Sequence, residues 1–222
     1  MWIIAGGHGE NTQGAGLDPA SELGRRVEDI RGAQETVKRS FDLVLGLMAA
    51  VVLVGPITVV SVLVRLTSPG PALYWSDRVG RDNKIFKMPK FRSMRVGTPA
   101  EATHLLVNPD THLTPIGSLL RKSSLDELPQ LWSILVGDMS FVGPRPALFN
   151  QYDLIELRTQ KNVHTLLPGL TGWAQVNGRD ELTISQKVDL DFQYLQRQCF
   201  WFDLKILWLT LLKVVRRDGV SH

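Results

Sequence analysis

The stretch from Arg121 to Pro146, R-K-S-S-L-D-E-L-P-Q-L-W-S-I-L-V-G-D-M-S-F-V-G-P-R-P, places an adjacent acid pair, Asp126-Glu127, between a basic dipeptide, Arg121-Lys122, and an arginine, Arg145, framed by Pro144 and Pro146. These residue types suit phosphate chemistry. A carboxylate that attacks a diphosphate forms an acyl phosphate, and cations must first neutralise the repulsion between the two anions. Arg121 and Arg145 can each give paired hydrogen bonds to phosphate oxygens. Glu127, a hard oxygen ligand, suits a Mg²⁺ ion bridging phosphates. Asp138 is a second oxygen donor, although after Gly137 it reads better as a turn residue. Nitrogen and sulfur metal sites are a poor fit, because His8, His104, His112, His164 and His222 show no ligand spacing and Cys199 is the only cysteine. The same string also has structural readings. Ser124-Leu125-Asp126-Glu127 is a capping-box pattern, and Asp126 could itself cap a helix with Pro129 in its first turn. A helix start beside Arg121 and Lys122 is equally where a phosphate would bind, so spacing alone leaves capping and catalysis open.

The elements that must hold these residues are legible in outline. The chain has 222 residues, 44% of them hydrophobic, which is enough for one catalytic domain plus an anchor. A net charge of +3 without a long Lys/Arg run argues against nucleic acid as a partner and fits an anionic membrane face better. Residues 1–36 are polar, with Leu23, Val27 and Ile30 at helical spacing, and read as a flexible lead-in with a weak amphipathic helix. They do not read as a signal peptide, having no basic start and no adequate apolar core. Residues 37–67 contain the apolar run Leu43–Leu66, about 36 Å long as a straight helix and so long enough for a bilayer core of about 30 Å. Gly55-Pro56 near its middle predicts a bend, since proline removes one helical hydrogen bond and crowds the preceding turn. Lys38-Arg39 precede the run and Arg65 closes it, so both ends favour the cytoplasmic side. The pattern therefore favours a re-entrant hairpin over a span. Residues 68–222 form the catalytic domain with membrane-interface helices in this reading, with A-L-Y-W at 72–75, K-I-F-K-M at 84–88 and room for one more piece as short strands or extended segments, and a helix through Leu131–Leu135. The last apolar stretch, residues 200–217, mixes Trp201 and Trp208 with Lys205, Lys213, Arg216 and Arg217. It reads as a helix lying in the membrane interface or as an amphipathic helix packed on the core, and the two can hold on different faces. The expected fold is thus α+β and mostly helical, with a minor β-sheet.

A set of strings then resembles a known family: K-R-S-F-D at 38–42, D-R-V-G at 77–80, K-F-R-S-M at 90–94, L-T-P-I-G at 113–117, L-R-K-S-S-L-D-E-L-P-Q-L-W at 120–132, G-D-M-S-F-V-G-P-R-P at 137–146 and P-G-L-T-G-W-A-Q-V-N-G-R at 168–179. Together they resemble the bacterial sugar transferases, monotopic polyprenyl-phosphate phosphoglycosyl transferases with one re-entrant membrane helix. The resemblance implies transfer of a sugar 1-phosphate from a UDP-sugar to undecaprenyl phosphate at the bacterial inner membrane, with the catalytic domain facing the cytoplasm. It implies Asp126 as the nucleophile that carries a phosphosugar, Glu127 as the Mg²⁺ ligand, and a product that starts a surface polysaccharide or glycoconjugate. Arg92 in K-F-R-S-M is a candidate phosphate or lipid-headgroup ligand, against ordinary surface charge. Gly169, Gly172, Gln175 and Arg179 look like a loop that approaches the nucleotide or sugar, against a structural turn around Trp173. Asp189 and Asp191 read as solvated acids. His112 stands where the family commonly has arginine, and Cys199 where serine often precedes D-L-K-I-L; neither bears on the acid pair. Two rivals fit the same residues: a membrane adaptor whose acid pair is a helix cap, and a membrane-bound hydrolase of nucleotide-sugar diphosphates.

Overall fold

A computed structural model describes residues 19–98, 109–178 and 181–216. The expected mixture is present, mostly helical with small sheets. Val37 onward forms one compact unit, and the residues before it belong to a separate one. Helix α1, Pro19–Thr67, takes in the described part of the lead-in and continues through Gly55-Pro56 without leaving helical conformation. Helix α1 holds a segment, Gly32–Thr67, long and apolar enough to cross a membrane. Strands β1 (Leu73–Val79) and β2 (Ile85–Phe91) form an antiparallel hairpin longer than the two strings suggested. The lengthening follows from alternation, since Tyr74, Ser76 and Arg78 face one way while Leu73, Trp75 and Asp77 face the other. Short helices α2 (Gly117–Lys122) and α3 (Leu131–Val136) follow, separated by a 3₁₀ turn at Leu125–Gln130. Strand β3 (Ser140–Val142) pairs in parallel with β5 (Gly169–Thr171), and β4 (Ala147–Leu148) adds to the free side of β1. Helices α4 (Tyr152–Gln160), α5 (Trp173–Val176), α6 (Ile184–Arg197) and α7 (Phe200–Arg216) complete the chain.

Residues 37–67 pack in the same unit as 68–222. Leu45, Ala49 and Ala50 of α1 lie against the main core, built around Met88, Ile134, Val142, Tyr194 and Ile206. Further along, Ile57, Val60 and Val64 join a second cluster with Phe91 and Leu120. Between those two sets, Val51, Val52, Val54, Gly55 and Pro56 are exposed. Helix α7 has both of the faces the sequence left open: Phe202 and Ile206 are buried, while Trp201, Leu204, Trp208, Leu211 and Val214 are exposed.

One turn of α1 is bonded into the domain. Lys38 Nζ donates to Val142 O at 2.9 Å and pairs with Asp203 Oδ2 at 2.5 Å, and Tyr194 Oη donates to Asp203 Oδ1 at 2.6 Å. Arg39 donates to the carbonyls of Ile134 and Leu135, at 2.6 and 2.7 Å, closing the C-terminal end of α3. The fully buried Asp42 accepts from Phe141 N at 3.1 Å. Removing a charge from water is costly unless it is paired and hydrogen-bonded. The basic pair expected to hold the helix at the membrane face therefore also serves inside the protein.

Candidate active site

The hairpin supplies the floor of the site. Antiparallel register puts Tyr74 opposite Lys90, Ser76 opposite Met88 and Arg78 opposite Phe86, so their side chains share one face. The 3₁₀ turn that carries the acid pair packs on β2. Lys90 Nζ thereby reaches Glu127 Oε1 at 3.2 Å. From the other side, the loop after β3 delivers Arg145, whose Nη2 meets the same oxygen at 2.5 Å. Arg78 lies beside them, with Nε donating to Ser76 Oγ at 3.0 Å and Nη1 to Pro146 O at 3.2 Å. Asp126 is buried next to this cluster.

Both capping readings fail. Ser124 sits in the left-handed region at φ 55° and its side chain makes no capping bond, and the acid pair lies inside the 3₁₀ turn rather than before it. The pair is presented by a strained turn and not consumed by helix termination.

The electrostatics separate the two acids. Burial alone would raise the pKa of Glu127, but Arg145 and Lys90 overrule it and hold the group well below the usual carboxylate range. Glu127 is thus a permanent anion here. Burial raises Asp126 above its ordinary value, while Lys90, Arg121 and Arg145 oppose the shift. Asp126 makes no hydrogen bond among the described residues, which leaves its oxygens unscreened by donors. Burial, and then the neighbouring Arg145, lower Arg78 to about 10, and burial lowers Lys90 from its ordinary value. Three cations, Arg78, Lys90 and Arg145, therefore face two carboxylates, a surplus that favours a further anion.

The structure brings together some of the expected residues and not others. Asp126, Glu127 and Arg145 form the cluster, and Arg121 is close enough to pull down the Asp126 pKa while its Nε donates to Ser93 Oγ at 3.2 Å. Arg92 is buried, and its guanidinium donates to Pro69 O at 2.7 Å and Ser68 O at 2.9 Å. In this structure Arg92 therefore ties the end of α1 to β2. Gly169 and Gly172 are also structural. A Cβ on either would run into the backbone of Gly143, which packs against both. The close approach locks the G-P-R-P loop onto β5, with Gly143 N donating to Thr171 O and Gly169 N to Pro144 O, each at 2.9 Å. Gln175 stands beside Gly172, and its amide oxygen and nitrogen are both buried without a hydrogen-bond partner. It is the member of that loop with unused donor and acceptor capacity. Arg179 lies outside the described residues. Asp138 is exposed in the turn after α3, as its turn reading expected.

Sequence reasoning passed over Lys90 and Arg78. Both stand in strings that were singled out, but only strand register reveals that they share a face with the acid pair. Asp191, read as solvated, is 1% exposed and takes two hydrogen bonds from Arg158.

Comparison with known proteins identifies the family. A model of the bacterial sugar transferase family matches residues 33–217. The chain is 38% identical over 193 residues to the UDP-glucose:undecaprenyl-phosphate glucose-1-phosphate transferase of Escherichia coli, covering 83% of this chain and 41% of that protein. It is 36% identical over 201 residues to the undecaprenyl-phosphate galactose phosphotransferase of Salmonella typhimurium, covering 82% and 41%. An uncharacterised sugar transferase of Bacillus subtilis is 39% identical over 188 residues, covering 84% of this chain and 91% of that one. The chain thus spans about two fifths of the first two relatives and nearly all of the third. With the match running over most of its length, the chain belongs to the bacterial sugar transferase family.

Proposed function

We propose that this protein is a membrane-bound phosphoglycosyl transferase that moves a sugar 1-phosphate from a UDP-sugar to undecaprenyl phosphate through a phosphosugar on Asp126. The observation that carries this reading is the pairing of a buried, unbonded Asp126 with a Glu127 locked as an anion by Arg145 and Lys90. The relatives' names supply the donor and acceptor classes. In the first step an Asp126 carboxylate oxygen attacks the phosphorus that bears the sugar. The bond from that phosphorus to the UMP oxygen breaks, and UMP leaves with the electron pair. In the second step a phosphate oxygen of the lipid attacks the same phosphorus and the aspartyl oxygen departs as carboxylate. Arg145, Lys90 and Arg78 neutralise the phosphate oxygens throughout, and Gln175, whose amide atoms have no hydrogen-bond partner among the described residues, is a candidate to meet donor groups.

The site fits Mg²⁺ by donor chemistry: Glu127 is a carboxylate oxygen donor that would hold the ion together with substrate phosphates. When bound, the ion supplies charge neutralisation of the diphosphate.

Helix packing supports a monotopic placement. From Ala50, the last residue on the main core, to Ile57, the first on the second cluster, the helix advances only about 10 Å, a third of a hydrocarbon core of about 30 Å. A span would need the intervening segment to be about three times longer, so the exposed segment around Gly55-Pro56 dips in while both flanks stay with the domain. Trp201 and Trp208 on α7 are exposed as well, and in this reading their rings would sit at headgroup depth. In this reading the domain lies on one side of the bacterial inner membrane, and the basic residues at both helix ends favour the cytoplasmic side.

The direct test is release of UMP from a panel of UDP-sugars by purified protein with Mg²⁺ and undecaprenyl phosphate. Lipid-dependent release with at least one sugar is expected. Repeated turnover without the lipid, beyond the single UMP per protein that formation of the phosphosugar releases, would support the hydrolase instead, and silence across the panel with intact vesicle binding would support the adaptor.

The pH profile carries a second expectation. Asp126 attacks only as the carboxylate, and burial raises its pKa above 3.8. Turnover should therefore fall as pH drops through a value above that of an ordinary aspartate. At the alkaline end, Lys90 loses its charge below the 10.5 of an ordinary lysine, because burial lowers it. A kcat/KM profile with its acid limb at or below 3.8 would argue against Asp126 as the attacking group.

A further inference from the structure

The three successive carbonyls around Arg145 are each held by a different element. Gly169 N of β5 donates to Pro144 O at 2.9 Å, Arg158 Nη1 of α4 donates to Arg145 O at 2.8 Å, and Arg78 Nη1 of β1 donates to Pro146 O at 3.2 Å. The middle bond has its own support. Arg158 Nε and Nη2 both donate to Asp191 Oδ2, at 3.0 and 2.6 Å, and the Asp191 side chain is 1% exposed while that of Arg158 is 11% exposed. A buried guanidinium and a buried carboxylate thus sit directly behind the arginine that holds Glu127.

Stability alone gives no reason for such a pair, since replacing a buried ion pair by apolar residues of similar volume is commonly neutral or stabilising. An apolar pair could not, however, give a hydrogen bond to the Arg145 carbonyl. That carbonyl belongs to the peptide joining Arg145 to Pro146, so fixing it fixes the plane from which the Arg145 side chain departs. With φ of Pro146 already restrained by its ring, this bond removes a main remaining freedom at that point.

We infer that Arg158, oriented by Asp191, is a positioning residue that fixes the Arg145 backbone so that its guanidinium meets the acid pair and the donor diphosphate. The inference deepens the proposed transfer reaction and rests on that reading for its effect on turnover, though not for its effect on structure. Arg158 touches neither Glu127 nor Asp126 in the described contacts, and it acts through Arg145 alone.

The test uses the full chain in lipid nanodiscs with UDP-sugar, Mg²⁺ and undecaprenyl phosphate. Arg158→Met keeps length and removes every donor, and Asp191→Asn keeps volume and removes the charge that orients Arg158. Each is expected to lower kcat about 10- to 100-fold, as for other residues that orient a functional group. In an Arg145→Ala background the same substitutions should change kcat less than about 3-fold, because nothing is left to position. Equal losses in both backgrounds would overturn the inference. A second readout does not depend on turnover: amide hydrogen exchange across residues 143–148 should accelerate in Arg158→Met, with the β1–β2 hairpin unchanged. Unaltered exchange there would overturn the inference by itself. If Arg158→Met does not accumulate, Arg158→Lys carries the same two measurements. A silent wild type would count against the proposed reaction alone, and the exchange comparison would still decide the positioning role.

Discussion

Asp126→Asn is expected to lower turnover by more than about 10⁴-fold, the scale seen when a nucleophile is removed from a covalent mechanism. The amide has the shape of the carboxyl but no anionic oxygen to offer phosphorus. Loss of folding would be a poor explanation for such an effect. Burial raises the Asp126 pKa, so at neutral pH the ionised carboxylate weakens the folded state relative to the unfolded one. A neutral side chain at this buried position relieves that cost, and the variant should unfold at or above the wild-type temperature. Mass spectrometry of wild-type protein quenched with UDP-sugar and no lipid acceptor should find a phosphosugar on the peptide containing Asp126, and none on the Asn variant. Retention of more than about a hundredth of wild-type kcat by Asp126→Asn would remove the residue from the attacking role.

Lys90→Met is expected to cost about 10²- to 10³-fold in kcat, the range for losing one preorganised electrostatic stabiliser. Lys90 serves both acids. It is one of the two cations on Glu127 Oε1, and it is the largest single influence pulling the Asp126 pKa back down. Its loss leaves Glu127 buried with Arg145 as its remaining ion-pair partner and lets the Asp126 pKa rise further. The acid limb of the pH profile should therefore move to higher pH as well as the plateau falling. A lower plateau with an unmoved limb would mean that Lys90 meets substrate without tuning the nucleophile. Arginine at this position is not a conservative control, because a planar guanidinium in the half-buried slot opposite Tyr74 would need more room than an ammonium.

The acid pair and Arg145 were legible because everything that marks them is local: two adjacent carboxylates, a basic dipeptide five residues earlier and prolines on both sides of an arginine. Helices α3 and α7 and parts of the two strands were legible for the same reason, as apolar runs punctuated by turn residues, while the pairing of the strands was not. What escaped depends on contacts between distant parts of the chain. Lys90 and Arg92 are two residues apart in one string, and nothing local says that Lys90 faces Glu127 while Arg92 turns back to the carbonyls of Ser68 and Pro69. The glycines at 169 and 172 advertised a close backbone approach, but only the parallel pairing of β3 with β5 shows that the approaching backbone is Gly143. Asp191 looked like any acid on an amphipathic helix until α4 brought Arg158 against it.

The turn of α1 at Lys38, Arg39 and Asp42 bears on how this protein can be handled and redesigned. Lys38 and Asp42 grip β3, which runs straight into Arg145, and Arg39 grips α3, which follows directly from Asp126 and Glu127. The two halves of the site are thus kept in register by the base of the anchor itself. A truncation that starts beyond Asp42 to gain solubility would let the acid pair drift from its arginine, and the loss would masquerade as a need for lipid. A water-soluble version should instead keep α1 and replace its outward residues, such as Val44, Leu47, Val51 and Val62, with polar ones.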